Sequence, residues 1–162
     1  MEENWVDSIA NEIDEQIERY ISVRDYRFYQ IEKLKKIAKH LDKEKQCLDC
    51  KYAKKELESI VLSLDRLINK SGVNKSEYEK RVEKLLEHLK SKHQVFQAYH
   101  FTYTYSAVFT LLGAVIGLLL SYSLFYRFHP TIFFLSAGVG MFIGNILGSR
   151  KDSDCFRNGK QI

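Results

Sequence analysis

Apolar residues recur every three or four positions through the first part of the chain. They fall at Trp5, Ile9, Ile13, Ile17 and Tyr20/Ile21, then at Phe28, Ile31, Leu34, Ala38 and Leu41. This is the period of one buried helix face, and it predicts a long helix over about 5–45. The pattern lapses across the polar run Asp42–Gln46 and resumes at Ala53, Leu57, Ile60/Val61, Leu64 and Leu67/Ile68. A second helix is therefore expected over about 49–69. Asn69-Lys70-Ser71-Gly72 reads as a stop, with Gly72 suited to a left-handed cap. Ser76-Glu77-Tyr78-Glu79 reads as a capping box. It opens a third helix over about 75–100, carried by Val82, Leu85, Leu86, Leu89 and Phe96. No glycine or proline separates this helix from the apolar stretch beyond it, so a rod that is continuous through both, or bent only slightly, is expected.

Beyond residue 100 the pattern changes. Phe101–Tyr126 and Phe128–Ser149 contain no charged residue. A bilayer core of ~30 Å is crossed by about 20 apolar helical residues, and both stretches are long enough. Pro130, the only proline, ends one helix and starts the next. The expected fold is all-α. A cytosolic helical hairpin or coiled-coil bundle of three helices over 1–98 precedes a two-helix transmembrane hairpin over 101–149. The spans are expected at about 103–126 and 131–149, and 150–162 forms a basic cytosolic tail. Neither apolar stretch is N-terminal, so no cleavable signal peptide is expected. Lys and Arg flank the outer ends of the pair: Arg81, Lys84, Lys90 and Lys92 before it, and Arg150, Lys151, Arg157 and Lys160 after it. The short loop holds Arg127 alone. This bias predicts a multi-pass membrane protein with N- and C-termini in the cytosol.

Charge removes other classes. Residues 1–100 hold 39 of the 46 charged residues, and their net charge is only +1. Nucleic-acid binding needs a basic face, so no nucleic-acid partner is expected. No phosphate loop, nucleophile elbow or Ser/His/Asp set is present, and no enzyme activity is expected.

Six of the eight glycines lie in the two apolar stretches. Gly113, Gly117 and Ser121 recur at spacing four, as do Ser136, Gly140, Gly144 and Gly148. Such a glycine zipper lets helices approach closely. A turn near 128–129 would pair Gly113 with Gly144, Gly117 with Gly140 and Ser121 with Ser136. The hairpin is thus expected to pack on itself, and other copies are the alternative partner. Asn145, the one amide in either stretch, is expected to make an interhelical hydrogen bond or to line a pore.

Cys47-Leu48-Asp49-Cys50 is a C-x-x-C motif. A hairpin turning near Gly72 sets Cys50 opposite Gln94 and Cys47 opposite Gln97, with His93 within a turn of both. His40 or His100 would then complete a tetrahedral set suited to zinc, while His88 is expected at the surface. Between antiparallel helices the motif resembles the zinc hook of coiled-coil DNA-repair ATPases over these four residues, without the proline usual there. That resemblance implies a site shared by two chains. A thiol switch with Cys50 acidified by a helix N-terminus is a further reading. Unmetallated cysteines at a helix junction, with no cofactor, are the plain one. Cys155 is read as free or palmitoylated.

These readings lead to a membrane-anchored interaction or oligomerisation module. Its partners would be the lipid bilayer and either further copies or a helical protein. The alternative is a subunit of a homo-oligomeric pore gated through the third helix.

Overall fold

The computed structural model describes residues 4–69 and 72–162. Among them are eight helices and no strand: α1 (Trp5–Tyr20), α2 (Val23–Phe28), α3 (Glu32–Lys43), α4 (Leu48–Leu62), α5 (Leu64–Asn69), α6 (Gly72–His93), α7 (His100–Phe125) and α8 (Pro130–Arg157). They form two units, one running to Val95 and one over Phe96–Gln161.

The first unit is helical as expected, but each of its first two expected helices is divided. The helix expected over 5–45 is three helices. Ile21 is extended, and Ser22 then caps α2 by accepting from the Asp25 backbone N–H at 3.1 Å. Ser22-Val23-Arg24-Asp25 is itself a capping pattern, so this break carries a sequence signal. The second break falls at Gln30, which is left-handed with φ 50°. A non-glycine residue there costs about 1–3 kcal/mol. Burial outweighs this, because the breaks let α1 fold back on α3 and α4. Ile13, Ile31, Leu34, Ile37, Leu41, Leu57, Ile60 and Leu64 are all fully buried, each worth about 1.5–3 kcal/mol relative to exposure. The expected second helix breaks at Ser63, whose hydroxyl donates to the Ser59 carbonyl at 2.6 Å. The expected stop at Asn69–Gly72 falls partly on residues 70 and 71, outside those described. α6 begins at Gly72, so Ser76 lies inside the helix rather than capping it.

Polar ties fix these helices laterally. The Trp5 indole donates to Glu58 at 2.6 Å, and Lys54 lies over the Trp5 ring while pairing with Asp42 at 2.7 Å. Arg81 joins α6 to α4 through Glu56 at 2.7 Å and Ser59 at 2.9 Å.

The expected continuous rod is interrupted. α6 ends at His93, with Gln94 left-handed at φ 55° and the Val95 N–H bonded to the Leu89 carbonyl at 3.1 Å. The Val95 N–H reaches back six residues, one more than in a Schellman motif, and this wider closure stops α6 without glycine. α7 starts afresh after Tyr99, also left-handed.

In the second unit α7 and α8 pack as an antiparallel hairpin, and both are long and apolar enough to cross a membrane. Only 17% of each apolar window is buried. The core helix of a soluble protein would be mostly covered. Leu111, Leu119, Leu124, Phe134, Leu135 and Phe142 all point outward. α8 does not end at Ser149. It continues to Arg157, so much of the expected tail is helical. Asp152 on that extension caps α7. Its carboxylate accepts from the Phe101 N–H at 3.1 Å, the Thr102 N–H at 2.8 Å and the Thr102 hydroxyl at 2.6 Å. Two orphan N–H groups at a helix start and one hydroxyl are thereby brought to one acidic partner.

Candidate metal centre

α4 and α6 run antiparallel, so the first turn of α4 meets the last turns of α6. Cys47 is the residue just before α4, and Cys50 lies in its first turn. The Cys50 Sγ is 3.3 Å from His88 Nε2 and 3.1 Å from His93 Nε2. Ligand atoms of Cys47, Cys50, His88 and His93 all lie within 4.8 Å of one another. The two imidazoles meet edge to face, 5.3 Å between centroids. These four residues could hold a metal ion.

Cys47, Cys50 and His93 are three of the four residues expected in the set. His40 is not the fourth. It lies on α3, and His88, expected at the surface, occupies that place. The difference goes with the break at Ser63. With α5 separated from α4, the α4–α6 register slides by more than a turn. Arg81 then meets Glu56 and Ser59, and His88 meets Cys50. His100 instead opens α7 and stacks on Phe96 at 5.4 Å.

Cys50 is 1% exposed. Burial, then a hydrogen bond with Cys47, then the negative surroundings of Cys47, Glu44 and Asp49 push its thiol from 9.0 up to about 12. These surroundings favour the thiol over the thiolate. Burial pulls His88 down, helped by His93 and Lys92 and opposed by Asp49. Metal-free, the group is thus a neutral thiol beside an imidazole that resists protonation. Both are protonation states compatible with ligation once the thiol proton leaves. A tetrahedral zinc with bonds of about 2.0–2.3 Å requires ligand atoms roughly 3.3–3.8 Å apart. The two Cys50–histidine contacts, at 3.3 and 3.1 Å, lie close to that spacing.

The raised thiol also sets a pH dependence. An unfolded Cys50 loses its proton from about pH 9, while the folded one keeps it. The unfolded state then binds fewer protons, so stability falls as pH rises from 9 towards 12. Burial raises Tyr78 too, and its hydroxyl donates to the Tyr29 carbonyl at 3.2 Å, adding in the same direction. Thermal melting of the metal-free chain is expected to drop over this range, and to drop less in Cys50→Ala. A melting temperature as steep in pH in that variant would contradict it.

In the hairpin, Gly113, Gly117, Ser121, Gly140, Gly144 and Gly148 are buried between α7 and α8. Their register is not the expected one. A Cβ on Gly113 would meet Ser136 and Ala137, one on Gly117 the Phe133 Cα at 2.9 Å, and one on Gly140 the Phe109 carbonyl. On Gly144 it would meet the Ser106 Cα at 2.8 Å, and on Gly148 the Thr102 Cα at 2.5 Å. Each glycine faces backbone about seven residues from the partner expected. The loop explains this. Tyr126 is left-handed, and Ser121 donates to the Arg127 carbonyl at 3.0 Å and accepts from the His129 N–H. The chain folds back over the last turn of α7, so α8 starts opposite Ser121 rather than opposite Phe125. Ser121 therefore ties the loop and is not paired with Ser136. Asn145 lies exposed on α8.

Comparison with family models, with curated proteins and with solved structures returns no match.

Proposed function

We propose that the chain is a two-span membrane protein whose helical N-terminal unit is a membrane-anchored interaction module, with zinc bound by Cys47, Cys50, His88 and His93. The observation that carries the reading is the contrast between the two units. The hairpin uses its glycine stripe on itself and turns large apolar side chains outward, as an anchor in lipid does. The first unit buries a core of its own and still exposes Tyr20, Val23, Phe28, Leu48, Tyr52 and Leu62. Docking a helical partner or a further copy would cover these. Zinc suits the donor set, because two thiolates neutralise its charge and two imidazoles complete a closed tetrahedron. Such a closed site is structural: the ion supplies cross-linking, with no open position for substrate. The balance of Lys and Arg about the spans supports both termini in the cytosol.

Asn145 favours a second reading, a homo-oligomeric pore, since an amide exposed within a span needs a polar partner or water. Native mass spectrometry of the full chain, released from mild detergent under metal-retaining conditions, separates the two. The module reading expects a monomer or small oligomer with one zinc per chain. A closed ring of four or more copies, with ion flux in liposomes that Asn145→Leu abolishes, would replace it by the pore.

A further inference from the structure

We infer that Glu44 is a positioning residue of the metal centre, acting through His93; this rests on the zinc reading above. Three observations meet at this residue. Its carboxylate oxygen lies 3.2 Å from His93 Nδ1. The opposite nitrogen of the same ring, Nε2, is the one that faces Cys50. The Glu44 carbonyl also accepts the Cys47 N–H, at 3.4 Å. Glu44 follows the last residue of α3, so one residue in the turn between α3 and α4 touches a ligand from each side of the centre.

The chemistry follows from the two ends of an imidazole. Neutral histidine carries one N–H and one lone pair, and the proton's location decides which nitrogen can bind a metal. A carboxylate at Nδ1 holds the proton there and leaves the Nε2 lone pair pointing into the cluster. Carboxylates behind zinc-bound histidines fix the tautomer and ring orientation in this way. The His93 side chain is 10% exposed, so water competes little for Nδ1. The Glu44 side chain is 47% exposed, so its replacement leaves no buried void. In sequence the arrangement reads Glu-x-x-Cys-x-x-Cys over 44–50, followed by His88 and His93. Glu44 selects the tautomer and aims the ring without contacting the ion.

The test uses the full chain in detergent, with zinc affinity from competition against a chelating dye. Glu44→Ala is expected to weaken zinc about 10- to 100-fold while cobalt substitution still gives a four-coordinate spectrum. Glu44→Gln is expected to recover most of the affinity, because its amide oxygen accepts the same Nδ1 proton. Histidine ¹⁵N spectra of the zinc-loaded chain should show a protected His93 Nδ1–H in the wild type and in Glu44→Gln, and lose that protection in Glu44→Ala. If Glu44→Ala binds zinc as tightly as the wild type, the inference is overturned while the zinc reading stands. If Glu44→Gln is as weak as Glu44→Ala, charge rather than tautomer selection is responsible, and the inference is again overturned. A wild-type chain that takes up no zinc would overturn the zinc reading itself.

Discussion

Chelating the metal from the zinc-loaded chain is expected to lower the melting temperature of the unit ending at Val95 by roughly 15–30 °C. A ligand bound to the folded state alone stabilises it by about 4 kcal/mol at a thousand times its dissociation constant. In a domain of this size each kcal/mol moves the midpoint by about 4–8 °C. The effect is local as well. Cys47 and Cys50 sit at the start of α4 while His88 and His93 sit at the end of α6. One ion therefore joins two elements far apart in sequence, and without it those elements meet through desolvated polar atoms. Cys50→Ser should lose the metal and melt like the chelated wild type. Cys155→Ser and His40→Ala should keep one zinc per chain, because neither residue belongs to the four. Hydrogen exchange should locate the loss of protection in α4 and the end of α6. A melting temperature indifferent to chelator, in a chain shown to have carried zinc, would defeat the prediction.

That centre is half legible in the sequence. C-x-x-C at a polar lapse between helical patterns marks two donors, and antiparallel pairing points to histidines near residue 93. The fourth ligand is misplaced when register is counted along an unbroken helix. The break at Ser63 has no glycine or proline to announce it. A serine hydroxyl turned back on the helix carbonyls, together with packing of α5 on α6, produces it. The same blindness hides the stop after His93, where Gln94 adopts a left-handed conformation that composition does not favour. Its consequence is mechanical. A gating rod through residues 75–126 is no longer available to the pore reading, because the helix is interrupted between His93 and His100. What hydrophobic periodicity does disclose is which residues are buried: Ile9, Ile13, Leu34, Leu41, Leu57 and Leu89 all lie in the core. Burial follows from side-chain chemistry. Break points follow from tertiary contacts that a one-dimensional pattern does not contain.

Gly144→Leu is expected to destabilise the hairpin by about 3 kcal/mol or more, and Gly138→Leu to leave it unchanged. The two glycines lie on one helix, six residues apart, and differ in what a side chain would meet. A Cβ at Gly144 would stand 2.8 Å from the Ser106 Cα and 2.5 Å from the Tyr105 carbonyl oxygen. Nothing lies within 4 Å of a Cβ at Gly138. Overpacking a well-filled core costs about 1–3 kcal/mol when flexible side chains can shift. Here the obstacle is backbone, so α7 must move as a whole. In lipid no hydrophobic effect holds the helices together, and close van der Waals contact is what separation forfeits. The Asp152 cap at Phe101 and Thr102 and the Ser121 tie to the loop pin both ends of the pair. The substituted hairpin should therefore bow open at the Gly144 level rather than come apart. Bioorthogonal spin labels at the exposed positions Leu112 and Met141 would report this as a broadened, longer distance distribution in Gly144→Leu, against an unchanged one in Gly138→Leu. The two variants should also separate in detergent titration, with Gly144→Leu opening at lower SDS. Equal behaviour of the two variants would mean that α7 and α8 are not held at this register, and the glycine stripe would have to serve contacts outside the hairpin.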